Sequence, residues 1–166
     1  MVMDKANYES LIIKPPSSTG KQPKTLTGVG ISFNVEETGA GPFEGARIRV
    51  EADGRVIVST GACSQGQGHE TIFSQVAADT LGISPDDVTV IEGDTRHITY
   101  GIGTLASRSS VTACSAIVQA AETLQTKALA LATEYFEAEL GDLTIGEGRV
   151  FVKGSPNRSV GLGELA

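Results

Sequence analysis

Apolar residues recur along this chain with two different spacings, and the changes of spacing mark out its elements. In ARIRVEA and RVIVSTG apolar and polar positions alternate with a period of two, and Ala52-Asp53-Gly54 stands between the runs. Asp-Gly between alternating runs is a strong hairpin signal, because such turns need residues that tolerate positive φ. An antiparallel pair is expected here. From His69 to Leu81, residues Ile72, Phe73, Val76, Ala77 and Leu81 follow one helical face, and Gly82 with Pro85 supplies a stop. A longer helix is predicted to open in YGIGTLASRSS and to run to about Leu140, closed by Gly141. Its core stripe would be Ile117, Ala120, Ala121, Leu124, Ala128, Leu131 and Tyr135.

Shorter runs complete the pattern. TGVGISFNV (27–35) reads as a strand, DVTVI (87–91) as a short buried one, and DLTIGE and RVFVKG as two more, while SVGLGELA opens a further helix. The order β-β-β-α-β-α-β-β predicts an α+β fold, a mostly antiparallel sheet with two main helices packed on it. Residues 1–26 carry KPPSSTGKQPK, which offers too little apolar surface to order itself, and are expected to form a flexible arm or linker. Residues 27–166 then make one folded domain.

Composition narrows the function without naming it. With 40% hydrophobic and 20% charged residues in 166, the balance is that of a globular domain. The net charge of −7 and the lack of any Lys/Arg run exclude a nucleic-acid or anionic-membrane surface. No apolar run approaches the ~18 residues of a membrane span, and the polar start MVMDKANYES has no leader pattern, so a cytoplasmic protein is expected. Cys63 and Cys114 lie far apart with no metal-ligand spacing, which fits a reducing compartment and predicts neither zinc nor disulfide.

The candidate chemistry sits where the two helices begin. Unpaired N–H groups and the helix macrodipole attract anions there. Gly66 and Gly68 let a ligand approach the backbone, and Gln67 presents an amide. At the second start Ser107, Ser109 and Ser110 offer hydroxyls and helix caps, and Arg108 offers a planar fork suited to phosphate. One such loop alone is ordinary helix capping; two in a small domain favour an extended anionic ligand. Neither loop has the dinucleotide or P-loop spacing, and no nucleophile or carboxylate cluster supports a phosphate-ester enzyme.

SQGQGHETIFSQVAADTLGI, VIEGDT and YGIGTLASRSSVTACSA together resemble successive segments of the molybdenum-binding large subunit of the xanthine dehydrogenase and aldehyde oxidase family, of the carbon monoxide dehydrogenase type. The likeness runs from about Thr27 to the end. It implies that Gly66, Gln67, Gly68, His69, Glu70 and Thr71 border molybdopterin, bound as its cytosine dinucleotide, and that Ser107, Arg108 and Ser109 hold its phosphates. Asp94 and Thr95 would only shape their loop, and His97 would be a surface residue. Thr112 and Cys114 stand near positions where the family often has glycine.

The family's subunit is several times longer. Its Gly-Phe-Gly segment, molybdenum-facing loop and late catalytic glutamate have no counterpart here, and Glu164 within Gly-Leu-Gly-Glu is not expected to be that glutamate. The resemblance therefore implies a piece of a molybdenum-dependent oxidoreductase, empty of cofactor and inactive alone, with no catalytic or metal-ligating residue of its own. Its partners would be the remainder of the large subunit and FAD-binding and iron-sulfur subunits. The rival reading is a scaffold domain that keeps the fold without the cofactor.

Overall fold

The computed structural model describes residues 2–11 and 30–166. They belong to two units, Met1–Val35 and Glu36–Ala166. In the first, α1 (Val2–Lys5) and α2 (Tyr8–Leu11) are single helical turns. Residues 12–26 of the expected arm, and its boundary with the domain, lie outside the described residues. The strand expected over 27–35 does not form in its described part: residues 30–35 make no ladder, and Ile31, Phe33 and Val35 are exposed. An alternating pattern becomes a strand only when a neighbouring strand accepts its hydrogen bonds, and residues 27–29 lie outside the described residues.

The second unit opens with the expected hairpin. β1 (Ala46–Val50) and β2 (Val56–Thr60) run antiparallel with Val50 opposite Val56. Their turn closes through Gly54 N–H to Glu51 O, with Gly54 at φ 89°. α3 (His69–Leu81) then crosses over so that β3 (Val88–Glu92) lies parallel to β2, Val56 beside Val88. A parallel neighbour requires such a crossover, and among the described residues this is the one parallel pairing in an otherwise antiparallel set. Gly82 ends α3 in the left-handed region, as its sequence position predicts.

α4 (Ser109–Phe136) is the long helix. Its N-terminal half buries Ala113, Ile117 and Ala121 against Val56, Val58, Phe73, Ala77 and Leu81. Its C-terminal half buries Ala128 and Ala132 against a second sheet: β4 (Leu143–Gly146), β5 (Arg149–Val152) and β6 (Ser155–Gly161), all antiparallel. The fold is thus α+β with two main helices, its strands divided between two three-stranded sheets.

Two details of α4 differ from expectation. It ends at Phe136 rather than near Leu140, because Glu137 adopts a left-handed conformation and Arg158 donates to the freed carbonyl of Phe136. The core stripe is also rotated: Leu131 is 50% and Tyr135 60% exposed, while Ala132 is fully buried. Small residues let the backbone approach the sheet, so alanines rather than the larger side chains define the face. β6 was not anticipated, and only SVG of SVGLGELA is strand; α5 (Leu162–Leu165) follows it.

Candidate functional site

Both glycine-rich loops leave the first sheet at one end and turn into α3 and α4. In the first, Ser64 N–H donates to Glu92 Oε2 at 2.8 Å, and Ser64 Oγ accepts Gly68 N–H at 3.2 Å. Gly66 and Gly68 take φ 106° and 78°, and a Cβ on either would meet open space. Glycine is therefore required there by conformation. Gln67 Oε1 accepts Gln65 N–H at 2.6 Å, and its amide NH2 has no acceptor among the described residues.

α3 begins without a side-chain cap. Its first N–H groups therefore have no intrahelical acceptor. His69, its first residue, is buried against Phe73 with ring centroids 5.1 Å apart, and its Nδ1 has no partner among the described residues. A buried imidazole nitrogen left without a hydrogen bond costs about 1–3 kcal/mol.

The second loop is more strained. Ala106 and Ser107 are consecutive non-glycine residues at φ 42° and 53°. Each such residue costs roughly 1–3 kcal/mol unless its surroundings impose the conformation. The N-cap of α4 is Arg108, with no side-chain cap bond. The serines expected to cap the helix do not. Ser109 Oγ instead bonds Thr104 Oγ1 at 3.1 Å, and Thr104 donates to Cys63 O at 2.7 Å, which joins the two loops. The N–H groups of Ser109 and Ser110 find no acceptor among the described residues.

The Arg108 side chain, expected to offer a fork to phosphate, spends its donors inside the protein. It is fully buried. Nε donates to Ala40 O at 2.9 Å, Nη1 to Glu44 Oε2 at 2.6 Å and to Gly103 O at 2.8 Å, and Nη2 to Pro42 O at 2.7 Å and Phe43 O at 3.4 Å. A guanidinium has five N–H donors, and all five are directed inward. Glu44 escaped the sequence reading altogether. It lies 64 residues from Arg108 and carries no local signature.

The loops meet around one open concavity of about 560 Å³, lined by Gln65, Gln67, His69 and residues 104–110, with Thr38 at its edge. Gln67, His69, Ser107 and Ser109 are thus brought together; Gly66 and Gly68 flank Gln67; Glu70 and Thr71 are exposed on the first turn of α3 and do not line it. The single Arg charge of the lining is matched by Glu44.

The remaining candidates lie elsewhere. Asp94 accepts Arg96 N–H at 2.9 Å in a turn, as expected of a loop-shaping residue, and the Arg96 side chain holds its carboxyl at about 2. His97 stands beside Arg47, Arg49 and Ser59, away from the concavity. Glu164 accepts Gly161 N–H at 3.1 Å as a helix-capping residue. Burial pushes the Cys114 thiol up. Among the described residues no cluster of His, Cys, Asp and Glu has the makings of a metal site, and no helix is long and apolar enough to cross a membrane.

An α+β scaffold whose two glycine-rich helix starts open on one donor-lined concavity has the form of a cofactor-holding domain. The chain belongs to the molybdopterin cofactor-binding domain family, whose model matches residues 1–166. Its similarity is to large subunits of the carbon monoxide and xanthine dehydrogenase type. It is 41% identical over 154 residues to the carbon monoxide dehydrogenase large chain of Afipia carboxidovorans, covering 86% of this chain and 19% of that one. It is 39% identical over 139 residues to the 6-hydroxypseudooxynicotine dehydrogenase complex subunit gamma of Paenarthrobacter nicotinovorans, covering 84% and 17%. The solved structure of reconstituted CO dehydrogenase from Oligotropha carboxidovorans matches with a TM-score of 0.71 at 41% identity, over 79% of this chain and 18% of that chain. The chain spans about a fifth of the length of these relatives.

Proposed function

We propose that the concavity between the starts of α3 and α4 holds part of molybdopterin cytosine dinucleotide within a molybdenum hydroxylase. The observation that carries this reading is the convergence on one concavity of two helix N-termini without side-chain caps, together with His69, whose buried Nδ1 has no partner among the described residues. Unpaired N–H groups at helix starts suit phosphate oxygens, and an imidazole nitrogen suits a polar group of the pterin. The donor set fits the group. Ser107, Ser109 and the N–H groups of Ser109 and Ser110 would hold the phosphates; Gln67 NH2 and His69 would face the pterin end. Arg108 acts from inside the protein.

The bound cofactor supplies the two-electron chemistry. This chain's residues bind, orient and partly shield it. The rest of the large subunit would complete the enclosure, and FAD-binding and iron-sulfur partners would take the electrons onward. Substrate selection and the base belong to residues outside this chain, so the chain by itself turns over no substrate.

The test is a titration of the 15N-labelled chain with cytidine diphosphate. Amides of residues 65–71 and 107–110 should shift together and saturate with one dissociation constant. Shifts elsewhere alone, or none at all, would favour a scaffold domain that binds no cofactor.

A further inference from the structure

Three segments distant in sequence meet at one buried carboxylate. Glu44, in the loop before β1, accepts the N–H groups of Gly45 and Ile102 on Oε1 and those of Ile102 and Gly103 on Oε2, all at 3.2–3.3 Å, as well as Arg108 Nη1. The carboxylate lies in a slot between Gly61 and Gly101, where a Cβ would stand 2.8 and 2.7 Å from Oε1. Arg108 then carries the constraint onward. Its side chain fastens the carbonyls of Ala40, Pro42, Phe43 and Gly103, while its own carbonyl accepts Val111 N–H, Thr112 N–H and the Thr112 Oγ1 hydroxyl at the first turn of α4.

From this geometry we infer that Glu44 and Arg108 are a positioning pair for the anion site. They touch no ligand themselves but hold residues 104–110 in the shape that turns their N–H groups and hydroxyls into the concavity. The inference rests on the proposed reading of that concavity. Its basis is separate. The two left-handed residues, Ala106 and Ser107, fall between Gly103, fixed by both members of the pair, and Arg108 itself. A conformation so unfavourable for side-chain-bearing residues persists only when both flanks are pinned. Stability alone is a poor reason for the pair, because apolar residues of similar volume commonly replace a buried ion pair without loss. What a carboxylate and a guanidinium add is direction: five fixed donors and a set of fixed acceptors.

The experiment compares wild type, Glu44→Gln, Arg108→Lys and Leu143→Ala, the last a truncation in the second core that serves as a destabilised control. For each, amide spectra and exchange are recorded without ligand and during cytidine diphosphate titration. Glu44→Gln should speed exchange of the Ile102 and Gly103 amides, displace the resonances of 104–110 and weaken binding by roughly tenfold, the effect of losing a charge-assisted hydrogen bond. Arg108→Lys should do the same, because it keeps the charge and loses the fork. Leu143→Ala should lower Tm and leave all three readings in place. Rescue by lysine, wild-type resonances for 104–110 in Glu44→Gln, or equal disturbance by Leu143→Ala would each overturn the positioning role. If the wild-type chain binds no cytidine diphosphate, the cofactor reading fails, and the ligand-free resonances still decide the pair. Should Glu44→Gln not fold, Arg108→Lys carries the same readings.

Discussion

Gly61 and Gly101 face each other so closely that a methyl group on Gly61 would stand 2.4 Å from the Cα of Gly101, and one on Gly101 would stand 2.5 Å from that of Gly61. The contact lies between the exit of β2 and the loop leading to α4, with the Glu44 carboxylate against both. Backbone on either side leaves no flexible group to yield.

Gly101→Ala is therefore expected to destabilise the fold by about 1–3 kcal/mol, the usual cost of forcing a methyl group into a filled interior. At roughly 2–4 °C per kcal/mol for a chain of this size, thermal denaturation should register a clear fall in Tm. An unchanged Tm would show that the two loops part easily.

The rotated face of α4 makes a paired prediction. Ile117→Ala removes a fully buried side chain from the first core and should cost about 2–5 kcal/mol. Leu131→Ala, at a position half exposed despite its place in the apolar stripe, should stay within about 0.5 kcal/mol. Urea denaturation of both variants measures the contrast; similar midpoints would return Leu131 to the core.

Ser110→Asp separates binding from stability. Ser110 is exposed on the first turn of α4, where an added carboxylate should gain about 0.3–1 kcal/mol from the helix dipole. The same charge repels a phosphate from that N-terminus. Tm should hold or rise, while cytidine diphosphate affinity falls by about tenfold or more, as expected for like charges at contact distance. Retained affinity would place the anion elsewhere.

Asp94 titrates with its turn. The Arg96 side chain and backbone N–H hold its carboxyl at about 2 against an ordinary 3.8. A lowered native value means that the interaction is intact above the ordinary value and is lost as pH falls through about 2. Carbon-detected NMR should find that low titration in the wild type and a return toward 3.8 in Arg96→Ala. A wild-type value already near 3.8 would mean the pair does not persist in solution.

What the sequence made legible was local. Asp53-Gly54 declared the hairpin, Gly82 the end of α3, and the Gly66–Gly68 and Ser107–Ser110 runs the two helix starts that converge. What it hid depends on partners far along the chain. Arg108 reads as a phosphate fork until residues 40–44, more than sixty positions earlier, close around it. The alternation through Ile31, Phe33 and Val35 reads as a strand, yet residues 30–35 meet no ladder. β6 begins Ser-Pro-Asn, which reads as a turn, and an edge strand accepts that proline. Along α4 a regular stripe drifts around the helix, so the spacing that located its first half misplaced Leu131 and Tyr135 in its second.

Because α4 runs through both cores, with Val50 of β1 the other side chain packed against each, the two ends of this helix differ in how they come apart. The sheet of β4, β5 and β6 rests on the C-terminal turns of that helix through Ala128 and Ala132, about 28 and 35 Å along the axis from Ser109 at about 1.5 Å per residue. Its separation would fray the helix from that end, while Ala113, Ile117 and Ala121 still clamp the other to the first sheet. Partial unfolding thus has a direction built into it, with slow amide exchange surviving longest around Ala113, Ile117 and Ala121 and a protease finding its first cut at the far end.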